Sequence, residues 1–184
     1  MRKGLVVKSK RNLIMMLLCL MFVYFLSSQA FAIMVGLSTE ELTRASEVVI
    51  RGEVEDVESL WSKDRKIIFT SASIVINDVI KGKIAQEKIV VEYEGGEIGN
   101  IGLRVSDVSP LKKGERVVLF IKAGKSKKDE LGDIYNIAGS AQGKYIIGDD
   151  GIARKSGFSV VDGKDVIDNN ISVDALIGKI RGVK

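Results

Sequence analysis

Residues 48–82 read VVIRGEVEDVESLWSKDRKIIFTSASIVINDVIKG, and this stretch decides the fold. Val48, Ile50, Gly52 and Val54 alternate with Val49, Arg51, Glu53 and Glu55, the period-two pattern of a strand with one buried face. Ser62-Lys63-Asp64-Arg65-Lys66 is a polar turn. Beyond it Ile68, Thr70, Ala72, Ile74 and Ile76 fall on one face, and Phe69, Ser71, Ser73, Val75 and Asn77 on the other. The spacing predicts a long hairpin. Gly52 eases a sharp bend of the kind that a sheet closing on itself requires.

Working outward, Ser38-Thr39-Glu40-Glu41 opens a helix upstream of the hairpin. Ser38 can cap it, Glu41 can return the bond, and Leu42 and Ala45 sit at helical spacing. The helix should end near Ser46. Downstream, Ile89, Val91 and Tyr93 alternate with Val90, Glu92 and Glu94 in a third strand. Residues 95–104 carry Gly95, Gly96, Gly99 and Gly102 and read as an irregular loop. Ser109 to Gly114 is a turn leading into Val117–Ile121, a continuous apolar run that suits a strand buried on both faces. Ile134–Ala138 and Tyr145–Ile147 read as a strand pair, and Asp149-Asp150-Gly151 as a turn. Lys125 to Gly132 reads as a charged loop. Ser172 then caps a last helix with Leu176, Ile177 and Ile180 as its apolar stripe. The expected fold is mainly β: a small closed or partly open barrel of oligonucleotide/oligosaccharide-binding type, with short N-terminal and C-terminal helices.

Some of these residues also carry a resemblance. The string Ser38-x-Glu40-Glu41-Leu42-x-x-Ala45-x-x-Val48-x-x-x-Gly52-x-Val54, the strand end Val79-Ile80-Lys81-Gly82, and Gly114-Glu115-Arg116-Val117-Val118-Leu119-Phe120 resemble a set of uncharacterised exported bacterial proteins. The likeness covers most of residues 38–147. More distantly the pattern is similar to the barrel of tissue inhibitors of metalloproteinases and netrin-like domains. The resembling motifs are turn and strand residues, so they imply a fold more than an activity. Those inhibitors set an N-terminal Cys on the protease zinc. Here the expected mature terminus is Ile33, and no inhibitory residue carries over.

Charge points to a compartment. The 184 residues hold 28 Lys and Arg against 24 Asp and Glu, a net of +4. Five of the basic residues, Arg2, Lys3, Lys8, Lys10 and Arg11, lie in residues 1–32, which hold no acid. The rest of the chain therefore carries 23 positive and 24 negative side chains. Basic residues 1–12, the apolar run Leu13–Leu26 and Ala30-Phe31-Ala32 form the three parts of a signal peptide cleaved after Ala32. The apolar run is 14 residues long, about 21 Å as a helix and short of the roughly 30 Å of bilayer hydrocarbon. An uncleaved signal anchor is the alternative. The expected product is one β-rich domain, residues 33–184, secreted or periplasmic and without a membrane span.

Cleavage also removes Cys19, the only cysteine, and the chain has no His. This excludes disulfides, Cys or His nucleophiles and the usual zinc sets, so no metal or cofactor is expected. Ser109-Pro110-Leu111-Lys112 matches Ser-x-x-Lys, but Gly114 and a strand follow where that chemistry needs a helix. Asp149-Asp150, and Asp162 with Asp165 and Asp168, lack the order of a calcium loop and read as solvated turn carboxylates. The outward strand residues Ser71, Ser73, Val75, Asn77, Val90, Glu92 and Glu94 are neutral or acidic, which excludes a nucleic-acid groove. Gly96, Gly99 and Gly102 lack the spacing of a phosphate loop and instead suit close backbone approach.

The leading expectation is a non-catalytic exported binding module for another exported protein or a surface polymer. Its sharper form is a regulator of a secreted protease. The binding candidates are Tyr93, Gly96, Glu97 and Arg104 around the glycine-rich loop. Trp61, at the hairpin end, either packs as a cap or anchors a partner. A hydrolase acting on an envelope polymer through carboxylates or a metal, or a structural envelope component, are the alternatives.

Overall fold

The computed structural model describes residues 15–16, 35–125, 134–157, 160 and 167–183. All elements below belong to the compact unit Met34–Lys184. The expected signal peptide, its cleavage site, most of the 125–132 loop, Asp162 and Asp165 lie outside the described residues.

Helix α1 (Thr39–Ala45) begins as the sequence dictates. The Ser38 hydroxyl accepts from the Glu41 amide at 3.2 Å, and the Glu41 carboxylate accepts from the Ser38 amide at 2.8 Å. At its other end the Lys81 ammonium donates to the carbonyls of Thr43 and Ser46, where the helix dipole favours a cation. The helix is thereby fastened to the far end of the hairpin formed by β1 (Val48–Trp61) and β2 (Ile68–Lys81).

Beside β2 runs β3 (Lys88–Glu94), followed by a small ribbon of β4 (Gly96–Ile98) and β5 (Ile101–Leu103). β6 (Arg116–Ala123) pairs antiparallel with β1 along one edge. On the other edge it pairs with β7 (Ile134–Ile137) and β8 (Lys144–Ile147). β7 runs parallel to β3, and that pairing completes the cylinder β1-β2-β3-β7-β6 back to β1. The result is a closed five-stranded barrel, as the mainly β expectation had it. β9 (Ile152–Arg154) and β10 (Ile171–Ser172) extend the sheet beyond β8, and α2 (Val173–Gly182) closes the described chain. Its N-cap Ser172 accepts from the Ala175 amide at 3.3 Å.

The wall shared by β1 and β6 separates two cores. Val48, Ile50, Val117, Leu119 and Ile121 point into the barrel with Ala72, Ile74 and Val91. Val49, Val118 and Phe120 point outward, under Leu42 of α1, Tyr145 of β8 and Leu176, Ile177 and Ile180 of α2. The two-sided burial read for 117–121 is present. The start of β1 departs from the one-faced expectation, because the two helices cover Val49. At Gly52 an added Cβ would lie 2.5 Å from the Val75 carbonyl oxygen, beside a register shift. The bend expected there is a close approach of β1 to β2.

Three further readings change. Residues 95–104 are not an irregular loop: they form the β4–β5 ribbon. β7 and β8 do not pair with each other, since each pairs with β6. Glu92, expected to face solvent, is only 4% exposed and lines a cleft of about 260 Å³ with Asp107, Ser109 and Ser140.

Candidate functional site

β6 begins opposite Glu53, yet β1 continues to Trp61. The last residues of β1, the first of β2 and the end of β3 thus project past the barrel as a three-stranded apron. The chain between β3 and β6 returns across that apron. Between them lies a cavity of about 720 Å³, within the size range of small-ligand sites.

The cavity is built from its anchors. The Ser59 and Thr70 hydroxyls face each other at 3.3 Å across the β1–β2 pair. Thr70 donates to the Gly95 carbonyl at 2.7 Å, and Ser59 accepts from the Glu97 amide at 3.2 Å. Gly96 sits over this pair with φ +133°, and a Cβ there would fall 2.3 Å from the Ser59 oxygen. These contacts fix the base of the ribbon. Gly99-Asn100 joins its strands, with φ +60° at Gly99, where a two-residue hairpin loop takes glycine.

Deeper in, Leu111 is buried in the barrel core, and its amide donates to the Tyr93 hydroxyl at 3.0 Å. Burial pushes the Tyr93 phenol upward in pKa, so it stays neutral through the physiological range. The far end of the returning segment is held by Lys144, only 2% exposed. Its ammonium donates to the Pro110 carbonyl at 2.5 Å and to the Glu115 carboxylate at 2.7 Å. Desolvation lowers the Lys144 pKa, and the bond to Glu115 opposes that shift.

Of the sequence candidates, Tyr93, Gly96, Glu97 and Arg104 line this one cavity. Trp61 does not: it is half-buried at the hairpin tip, paired with Ile68. Ser109 and Lys112 lie outside any helix, and the chain turns at Lys113-Gly114, where the Glu115 amide donates to the Lys112 carbonyl at 3.0 Å. The turn carboxylates are taken by cations of the chain, Asp149 by Arg116 at 2.7 Å and Asp150 by Arg154 at 2.5 Å. Asp168 accepts from Lys179 at 2.5 Å and from Thr39 at 2.7 Å. Among the described residues no group of three or more His, Cys, Asp or Glu side chains is placed to hold a metal ion. Nor is any helix among them long and apolar enough to cross a membrane.

Sequence reasoning missed Ser59, Thr70, Val105, Leu111 and Lys112 as cavity residues. One signal was available for the ribbon. Gly96-Glu97-Ile98 and Ile101-Gly102-Leu103 flank a Gly-Asn pair, which is a hairpin signature. No protein-family model matches the chain, and no curated protein shows significant similarity to it.

Proposed function

We propose that this chain is a non-catalytic exported binding module whose site is the cavity between the apron and the β4–β5 ribbon. The observation that carries the reading is the convergence of Tyr93, Gly96, Glu97 and Arg104 on one 720 Å³ space with an anchored frame. The partner is another exported protein or a surface polymer. Regulation of a secreted protease is the sharper form, and it rests on the resemblance of the barrel pattern to metalloproteinase inhibitors. Export rests on the basic, apolar and small-residue order of residues 1–32.

The test is affinity capture from the host's exported proteins and surface polymers, with Glu97→Ala/Arg104→Ala as a parallel bait. Capture of a defined component by the native chain and its loss with the double variant is the expected result. Equal capture by both baits would remove the cavity from the proposal. A second reading has its own observation, since Glu94 and Glu97 share the cavity. A carboxylate-dependent hydrolase would lose turnover of a glycan or ester panel on Glu94→Gln or Glu97→Gln while staying folded. The binding module shows no turnover to lose.

A further inference from the structure

β5 is the outer strand of the ribbon, and among the described residues its far edge pairs with no other strand. All three of its residues are exposed, Ile101 by 57% and Leu103 by 38%. An open edge with apolar side chains is a template for a further strand. Gly102, in the middle of β5, adds no side chain of its own, and over its face lies the flexible side chain of its cross-strand partner Glu97, with Cγ 3.4 Å from where a Cβ would stand. A main chain can use such an edge. A sugar ring would want aromatic faces, and among the described residues the only aromatic in the lining is Tyr93, whose hydroxyl is already bonded to Leu111.

Charge narrows the occupant. Around this end of the barrel Lys88 pairs with Glu55, Lys113 with Asp56 and Arg116 with Asp149. Arg104 and Lys112 make no ion pair among the described residues, although the carboxylates of Glu94 and Glu97 line the same cavity. Two unmatched cations beside an open strand edge complement a carboxylate, which a guanidinium binds with two parallel bonds.

Building on the binding-module reading, we propose that the cavity takes an extended peptide segment of a partner protein. The segment adds to the β5 edge by main-chain hydrogen bonds and directs an Asp or Glu side chain to Arg104 and Lys112.

The experiment selects random dodecapeptides displayed on phage against the immobilised full-length chain, then titrates synthetic versions of the winners. The expected winners hold an Asp or Glu with an apolar residue two positions away, and exchange of that acid for its amide weakens binding at least tenfold. Arg104→Glu/Lys112→Glu should invert the preference to basic peptides, a gain that a merely unfolded variant cannot produce. Hydrogen exchange should show new protection of the 101–103 amides in the peptide complex. Gly102→Val has room to fold, because its nearest added contact, Glu97 Cγ, is 3.4 Å away. It should lose at least tenfold in affinity with an unchanged melting temperature.

Winners without an acidic bias, binding that is lost only when the peptide's C-terminus is amidated, or unprotected 101–103 amides would each overturn the proposal. Failure of all peptides alongside successful capture of an exported component would remove the acidic-segment class and leave the binding module standing. Failure of both assays would remove both.

Discussion

At Gly96 the backbone holds φ +133°, and any Cβ would meet the Ser59 and Thr70 oxygens at 2.3 and 2.6 Å. Gly99 has φ +60° with open space around it, and Gly102 has neither a positive φ nor a close neighbour. Alanine at these three sites should therefore rank by cause. Gly96→Ala is expected to cost about 2–3 kcal/mol, Gly99→Ala about 1, and Gly102→Ala close to nothing, as read by thermal or urea unfolding. Lys155 makes the opposite case. The residue is 6% exposed, and its ammonium lies 4.6 Å from the centre of the Tyr145 ring with no hydrogen-bond acceptor among the described residues. Desolvation lowers its pKa to about 8, with the Asp168 charge opposing. The unfolded chain holds that proton more tightly, so the penalty is full below pH 8 and fades as pH rises from 8 towards the ordinary value of 10.5. The shift corresponds to about 3 kcal/mol, of which the contact with the ring returns a part of about 1. Lys155→Met should then stabilise the fold by about 1–2 kcal/mol at pH 7. The difference from the native chain should vanish near pH 10.5, measured by paired urea titrations.

Among the elements, the segment between β5 and β6 has no regular structure, and its course depends on one buried ion pair. Lys144 and Glu115 hold it from below, Tyr93 bonds Leu111, and the Lys112 amide donates to Glu115 at 3.1 Å. Removing one charge leaves the other desolvated. Lys144→Met should cost about 3–5 kcal/mol, whereas Lys144→Met with Glu115→Leu should recover most of that loss. A double-mutant cycle in urea checks the pair. The same contrast explains what the sequence could disclose. The capped helix, the Val48–Lys81 hairpin and the two-faced 117–121 strand follow from local spacing, and each is present. Tyr93, Gly96, Glu97 and Arg104 were legible because they cluster around one glycine-rich stretch. Ser59 and Thr70 were not, since which residues of β1 face β2 depends on three register shifts between Val49 and Asp56. Lys144 was equally hidden, because its partner is 29 residues away and a lysine in sequence normally signals surface.

For the whole molecule, the β1–β6 wall makes the two cores one cooperative unit. Leu119 points into the barrel and Phe120 into the layer beneath the helices, from adjacent positions on one strand. If the helical layer were an independent annex, Phe120→Ala would loosen it and leave the barrel transition where it was. The pairing argues otherwise. Val118 and Phe120 are held by the same backbone that pairs with Arg51 and Val49 of β1, so a cavity on either face disturbs the same ladder. Leu119→Ala and Phe120→Ala should each lower stability by about 3–5 kcal/mol, and both should move a single transition. Trp61 provides the local probe, for it sits at the hairpin tip away from both cores, while far-ultraviolet circular dichroism reports the helices and sheet together. Coincident curves from the two signals in both variants would establish one unit. A Phe120→Ala curve in which the dichroism signal falls before the Trp61 fluorescence would show that the helical layer melts on its own. The cavity at the barrel end would then owe its frame to the barrel alone.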